Sequence, residues 1–303
     1  MSDFVDWQAD YEALTARCGV IQLVGWSQVQ VSGRDSASFL HNMCTNDIRK
    51  LEPGQSCEAF FTDVKGKIVA HVLVIATGEH IELLTVPGQA ERLITHLVRY
   101  IIREDVKLAN VSNDFVWYYA LGPHVGEMNA ENKELIVHSD LLWPGGFLVR
   151  VRSGDSNPFA ALPTIDTTSP AWTALRVESQ LPLFGTDFDD SNLPQEVNRD
   201  KLAINFNKGC YLGQETIARI DALGHVNKML VLVQFSNEQV PAIGSKLTKD
   251  VQDVGTITTS GWSPRFAAPA AIALVRRGAN ELGTELQCDT GNAKIVQAIT
   301  ASA

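Results

Sequence analysis

The sequence predicts an α+β protein that ends in a small all-β unit, a barrel or a sandwich. Three observations carry this. Short β-type runs alternate with helical periodicity over the first two-thirds of the chain. One stretch of apolar residues follows the spacing of an amphipathic helix. From Lys228 onward only short β-type runs divided by Gly, Pro and Asn remain.

Taken in order, Val20–Val24 and Val29–Val31 read as strands. Ser32–Asp35 offers a helix start, after which Ala37, Leu40, Met43 and Cys44 recur at helical spacing. Glu58–Thr62 and Ile68–Ala76 are apolar strands separated by Asp63-Val64-Lys65-Gly66-Lys67, whose Asp and Gly are turn formers, so a hairpin is expected. His80–Val86 reads as a strand. Ala90, Leu93, Ile94, Leu97, Val98 and Ile101 then fall on one helical face. Phe115–Leu121 and Phe147–Val151 are further strands, and Ser153–Pro170, rich in Ser, Asp, Thr and Pro, reads as a connection. In the last part Met229–Phe235, Gly255–Thr259, Ala271–Val275 and Lys294–Gln297 are the strand candidates.

Bulk properties narrow the function. The chain has 303 residues, 45% of them hydrophobic and 20% charged, which suits two or three packed units without a disordered tail. A net charge of −10 lacks the electrostatic footprint of a general nucleic-acid or anionic-membrane binder. The acidic start Met1–Asp6 has no secretory pattern and no apolar run reaches bilayer length, so a cytoplasmic protein is expected. The five cysteines (Cys18, Cys44, Cys57, Cys210, Cys288) contain no C-x-x-C pair, and the histidines, His41, His71, His80, His96, His124, His138 and His225, show no ligand spacing. Reduced thiols and no stably bound metal are expected.

The chemistry concentrates in Lys208-Gly209-Cys210-Tyr211-Leu212-Gly213-Gln214-Glu215, followed by Ala218-Arg219. Gly209 and Gly213 permit backbone conformations closed to other residues, Lys208 puts a cation near the thiol, and a helix starting at Gln214 turns its dipole toward Cys210. Each feature favours a thiolate. In an isolated setting such a cysteine is a small buried hydrophobe. His225 is the histidine nearest this loop in sequence, and a Cys–His nucleophile pair is the third reading of the segment.

This loop resembles the K-G-C-Y-x-G-Q-E signature of the YgfZ family and its mitochondrial iron–sulfur assembly relatives, which are similar in fold to the glycine cleavage T-protein. Upstream, Arg176-Val-Glu178, Leu181-Pro182 and Gly185-Thr-Asp187 look like the R-x-E…P-x-x-G-x-[DE] stretch of T-proteins, and the segment from Val31 to Gln55 resembles the opening of that superfamily. The resemblance implies a three-part ring around a folate-sized hole. Residues 1–227 would form two interleaved, ferredoxin-like α+β subdomains that bind folate, and residues 228–303 a β-barrel.

It further implies tetrahydrofolate or a derivative as ligand, with Glu178 on the pterin edge and Arg176 and Arg219 paired with folate carboxylates. Cys210, with Lys208, would be the functional thiol of an accessory factor rather than of an enzyme. The partners implied are iron–sulfur client enzymes, including methylthiotransferases that modify tRNA, with any effect on tRNA indirect.

The T-protein pattern breaks at two places. Its G-G-I-x-D-D segment corresponds here to Gly66-Lys67-Ile68-Val69-Ala70-His71, without either carboxylate, and its V-N-A segment to Val86-Pro87-Gly88. General acid–base work at a folate nitrogen needs a proton carrier; Ala70 cannot be one, and His71 points to the opposite face from its neighbour, which leaves its part open. The breaks set an aminomethyltransferase, or a related demethylating folate enzyme, in second place. Asp63-Val64-Lys65-Gly66-Lys67 instead looks like the D-x-K-G-[KR] hairpin of YgfZ proteins.

Overall fold

The computed structural model describes residues 7–123 and 135–298. The acidic start Met1–Asp6 and His124 lie outside the described residues.

Before the first strand the chain forms α1 (Trp7–Ala16), a helix whose apolar spacing is too sparse to stand out in the sequence. β1 (Gly19–Gln22) and β2 (Ser27–Ser32) follow where expected. α2 (Ser36–Met43) starts at Asp35, whose side chain makes no cap bond and instead accepts a hydrogen bond from the Asp105 N–H at 2.8 Å. The hairpin forms as β3 (Ser56–Thr62) and β4 (Ile68–Ala76), then β5 (Ile81–Thr85) and α3 (Ala90–Val98). The helical pattern to Ile101 outlasts the helix, because Tyr100 and Ile101 close on Leu97 and Val98 in a tighter turn.

Next come β6 (Lys107–Asn110), β7 (Phe115–Leu121), β8 (Leu135–Ser139) and β9 (Gly146–Arg152). The expected connection contains a strand, β10 (Thr164–Asp166), which is too short and polar for periodicity to show. Ser169 then caps α4 (Pro170–Glu178), accepting the Ala171 N–H at 3.2 Å. α5 (Asp200–Ala203) and α6 (Gln214–Leu223) precede β11 (Lys228–Phe235), β12 (Lys246–Lys249), β13 (Gln252–Ser263), β14 (Ala268–Arg276), β15 (Glu285–Cys288) and β16 (Gly291–Val296).

The last six strands close a barrel in the order β11-β14-β13-β12-β15-β16. The other strands make two sheets, β10-β1-β7-β9-β8 and β3-β4-β5-β2-β6. The period-2 alternation of their side chains determines how the three parts meet. On β4, Ala70, Val72 and Val74 pack under α2 and α3, whereas Leu73 and Ile75 join Ile21, Trp117 and Trp172 in the core shared with the first sheet. On β11, Val231 and Val233 fill the barrel, while Leu230 and Leu232 face outward onto Phe60, Ile68 and Tyr211. The hairpin sheet is therefore the common wall of all three parts, consistent with a ring.

That wall also carries charge. Glu82 on β5 is buried against Arg150 on β9 of the other sheet, and His80 Nε2 lies 2.9 Å from the same carboxylate. Arg150 lies over the Phe115 ring, 4.2 Å from its centroid.

Candidate functional site

The loop that carries Cys210 is fastened at several points, and the fastenings use the residues singled out in the sequence. The Lys208 ammonium donates to the carbonyl oxygens of His41, Cys44 and Asn46, at 2.5, 2.7 and 2.7 Å, around the C-terminal end of α2. A cation there meets the negative end of the helix dipole and satisfies carbonyls with no partner inside the helix. This corrects the expected role of Lys208, since its charge acts on Cys44 and Cys57. Burial lowers its own pKa. Tyr211 is buried beside it, with Lys208 Nζ 5.0 Å from the ring centroid.

Gly213 and Gly66 bring the loop and the hairpin tip together. Gly213 has φ +82°, and a Cβ there would lie 2.5 Å from the Asp63 oxygen and 3.0 Å from the Gly66 Cα. Gly66 has φ +76° and faces Thr216 and the Gly213 carbonyl in the same way. Thr62 Oγ1 donates to the Leu212 oxygen at 2.7 Å, and the Leu212 N–H reaches the Asn42 oxygen at 2.9 Å. Gly209 is different. It has ordinary backbone and a Cβ there would meet nothing within 4 Å, which corrects the expectation of a special conformation.

Cys210 emerges from this clamp exposed, just ahead of α6. The other thiols are sheltered. Burial pushes Cys18, Cys44 and Cys288 up, and drives Cys57 up to about 12 with help from Cys44 and Glu58. Of the remaining motif residues, Gln214 is partly buried, and Glu215 and Arg219 are exposed on α6. His225 follows the other end of this ten-residue helix, about 15 Å long, with Nδ1 2.8 Å from the Leu223 oxygen. The Cys210–His225 pair is therefore not formed.

The R-x-E…G-T-D stretch lies inside the protein. Arg176 is 5% exposed; it donates to Asp187 at 2.6 Å, to the Leu181 oxygen at 3.1 Å and to Thr259 of the barrel at 2.7 Å. Asp187 also accepts from Thr258 and Thr259. Glu178 is fully buried, accepting from Tyr11 of α1 at 2.7 Å and from Ser263 of the barrel. Burial raises its pKa against those donors. Both side chains thus join α4 to the barrel.

Sequence reasoning brought in His71 but missed the set it belongs to. Beside the hairpin sheet is a cavity of about 30 Å³, walled by Trp26, Leu73, Leu84, Leu181 and Phe184 and by two ionisable groups, Glu58 and His71. His71 stands opposite the face of Ala70, which is in the helix-covered core. Its Nε2 is 3.0 Å from Glu58, and its ring stacks on Phe60 at 4.7 Å. Arg199 grips the same carboxylate with Nε, at 2.6 Å, and Nη2. Burial pushes the Glu58 carboxyl up, but Arg199 and His71 outweigh it and hold it at about 2. The signal available in sequence was Glu58 itself, an acidic residue in an apolar strand. Among the described residues no group of three or more His, Cys, Asp or Glu side chains is gathered to hold a metal ion. No described helix is long and apolar enough to cross a membrane.

Comparison with known proteins agrees with this geometry. Residues 2–134 match the GCVT N-terminal domain and residues 228–302 the glycine cleavage T-protein C-terminal barrel domain. The chain thus carries a match to a GCVT-type domain in its first part and to a T-protein-type barrel in its last. Its fold superposes on the glycine cleavage system aminomethyltransferase T of Bartonella henselae with a TM-score of 0.84 at 17% identity, over 96% of this chain and 88% of that one. In sequence this chain is 24% identical to an aminomethyltransferase of Geobacillus kaustophilus, covering 94% of this chain and 86% of the relative. It is 27% identical to the tRNA-modifying protein YgfZ of Yersinia enterocolitica over 75% of this chain and 74% of that protein. Resemblance to the YgfZ family and an α+β ring with a terminal barrel both fit these matches.

Two outcomes test the site. Gly213→Ala lowers stability by about 1–3 kcal/mol in urea unfolding, because strained backbone and a steric clash coincide, whereas Gly209→Ala stays within about 0.5 kcal/mol. The Glu58 carboxyl is held below its ordinary value of 4.5, so its stabilising contribution is present above that value and lost as pH falls through about 2. Acid unfolding of Glu58→Gln, followed by circular dichroism, accordingly loses the part of the wild-type pH dependence that falls between those two values.

Proposed function

We propose that this protein is a folate-binding accessory factor for the assembly or repair of iron–sulfur clusters in client enzymes, including methylthiotransferases that modify tRNA. Cys210 is its functional thiol. The observation that carries the reading is the presentation of that thiol: Lys208, Tyr211 and Gly213 clamp the loop to the hairpin and α2, and the clamp leaves Cys210 exposed. An exposed thiol on a rigid loop suits transient contact with a partner's cluster or sulfur, whereas a sheltered hydrolytic pair would need a base beside it.

The resemblance to a tRNA-modifying YgfZ protein supports the link to tRNA modification. The folate part is supported by the relatives, a tRNA-modifying YgfZ protein and aminomethyltransferases, and by the match to the GCVT N-terminal domain; when bound, a reduced folate would supply one-carbon or redox chemistry. Of the two arginines that the resemblance assigns to folate carboxylates, Arg219 is the exposed one.

A second reading, aminomethyl transfer or demethylation, is favoured by one observation. His71, oriented by Glu58, is a proton carrier on the cavity wall. The relatives that are aminomethyltransferases support it.

For the first reading, the gene is deleted and wild type or Cys210→Ala reintroduced. Cluster occupancy of client enzymes and tRNA methylthiolation fall in the deletion, recover with wild type and stay low with Cys210→Ala; unchanged values in the deletion overturn the reading. For the second, purified protein forms methylenetetrahydrofolate from a lipoyl-bound aminomethyl donor, and His71→Ala abolishes it. Absence of that product from wild type rejects transfer of this kind.

A further inference from the structure

Between the 195–225 segment and the barrel the chain leaves a cleft of about 640 Å³, a size usual for small-molecule sites. It shares no lining residue with the small cavity beside Glu58, and Cys210 does not line it. Much of its lining is apolar: Ile220 of α6, Met229 and Leu232 of β11 and Val296 of β16, with Leu202 and Leu282 exposed beside them.

The polar groups of the lining divide by chemistry. The donors are spent inside the protein. The Gln180 and Asn198 amides both donate to the Leu230 oxygen, at 2.8 and 3.0 Å, Gln195 Nε2 donates to the Ile217 oxygen at 2.8 Å, and the Arg199 guanidinium is held by Glu58. The acceptors are left over. Gln195 is only 9% exposed, and its Oε1 has no partner among the described residues. The carboxylates of Asp200 on α5 and Asp221 on α6 make no ion pair or hydrogen bond among the described residues. His225 Nδ1 is bonded to a carbonyl oxygen and so carries the proton, which makes Nε2 of the neutral ring a further acceptor. Ile220, Asp221 and Gly224 also bring the C-terminal end of α6 to the cleft, and that end of a helix is negative. Lys201, exposed, is the opposing charge.

An apolar lining with open acceptors and two uncompensated carboxylates calls for a ligand that carries N–H donors and positive charge along an apolar stem. We propose that this cleft binds an aliphatic polyamine, with ammonium groups on Asp200 and Asp221 and the methylene chain over Ile220, Met229 and Val296. An anionic ligand would meet carboxylates and a helix end of its own sign. A bare metal cation would leave the apolar lining unused. The site is independent of the folate and cluster reading, since none of its groups belongs to the Cys210 loop or to the small cavity.

The test titrates the purified full-length protein with spermidine by isothermal calorimetry at physiological ionic strength, where diffuse attraction to an acidic protein is screened. Wild type binds spermidine at a single saturable site. Diacetylspermidine, which keeps the carbon chain and loses the two terminal charges, binds at least about tenfold more weakly. Asp200→Asn and Asp221→Asn each weaken binding by about three- to fivefold, the loss expected of exposed ion pairs. Lys201→Gln tightens it by about twofold, a gain that a misfolded variant cannot imitate. Asp253→Asn, on an exposed residue of β13 outside the cleft, binds as wild type does. The proposal is overturned if wild type shows no saturable binding, if the diacetylated compound binds equally well, or if Asp253→Asn weakens binding as much as the cleft variants do.

Discussion

A carboxylate in the middle of a protein imposes an obligation on everything around it. Glu58 sits beside Cys57, Ala59, Phe60 and Phe61 on its strand, with its charge kept by Arg199 and His71. Leaving such a charge without its partner costs about 3–5 kcal/mol, so the 199 segment has to be held against β3. Thr45 Oγ1 reaches the Ala203 oxygen, the Asn205 N–H reaches the Thr45 oxygen, and the Asn46 amide reaches Leu202 and Glu58. The Cys210 loop leaves directly from this segment, so its position is a downstream result of where the ion pair must be. The same device recurs on β5, where Glu82 ties the hairpin sheet to the other sheet through Arg150.

The motifs of the family turn out to be largely architectural. Lys208 caps α2, Gly213 admits the hairpin, Arg176 and Asp187 join α4 to the barrel, and Glu178 joins the barrel to α1. In each case a polar side chain unsuited to an interior is buried because its donors or acceptors are met by another part of the chain. Gly209, Cys210 and Glu215 are the exposed members of the loop.

What could be read from the sequence follows from how local its cause is. The β3–β4 hairpin was legible because alternation and turn chemistry sit within a few residues, and the barrel because its short strands are separated by turn formers. α1 and β10 were not legible, since few of their residues are buried and tertiary pairing, here with α4 and β1, decides them. The same division holds at the site. The Cys210 loop is contiguous and announced itself. The Glu58–His71–Arg199 cluster joins residues up to 141 positions apart, and no spacing rule connects them. Lys208 was misassigned for a related reason: proximity in sequence to Cys210 placed its backbone, while its long side chain reached another helix.

The meeting of Gly66 and Gly213 has a consequence for how such proteins diverge. Two segments far apart in the chain share a contact so close that neither tolerates even a methyl group unless the other withdraws. Changes on the two sides are thus not independent, and a loop transplanted from a homologue would arrive without the tip it was shaped against. Hairpin and loop form one heritable cassette, and chimeras should exchange both or neither.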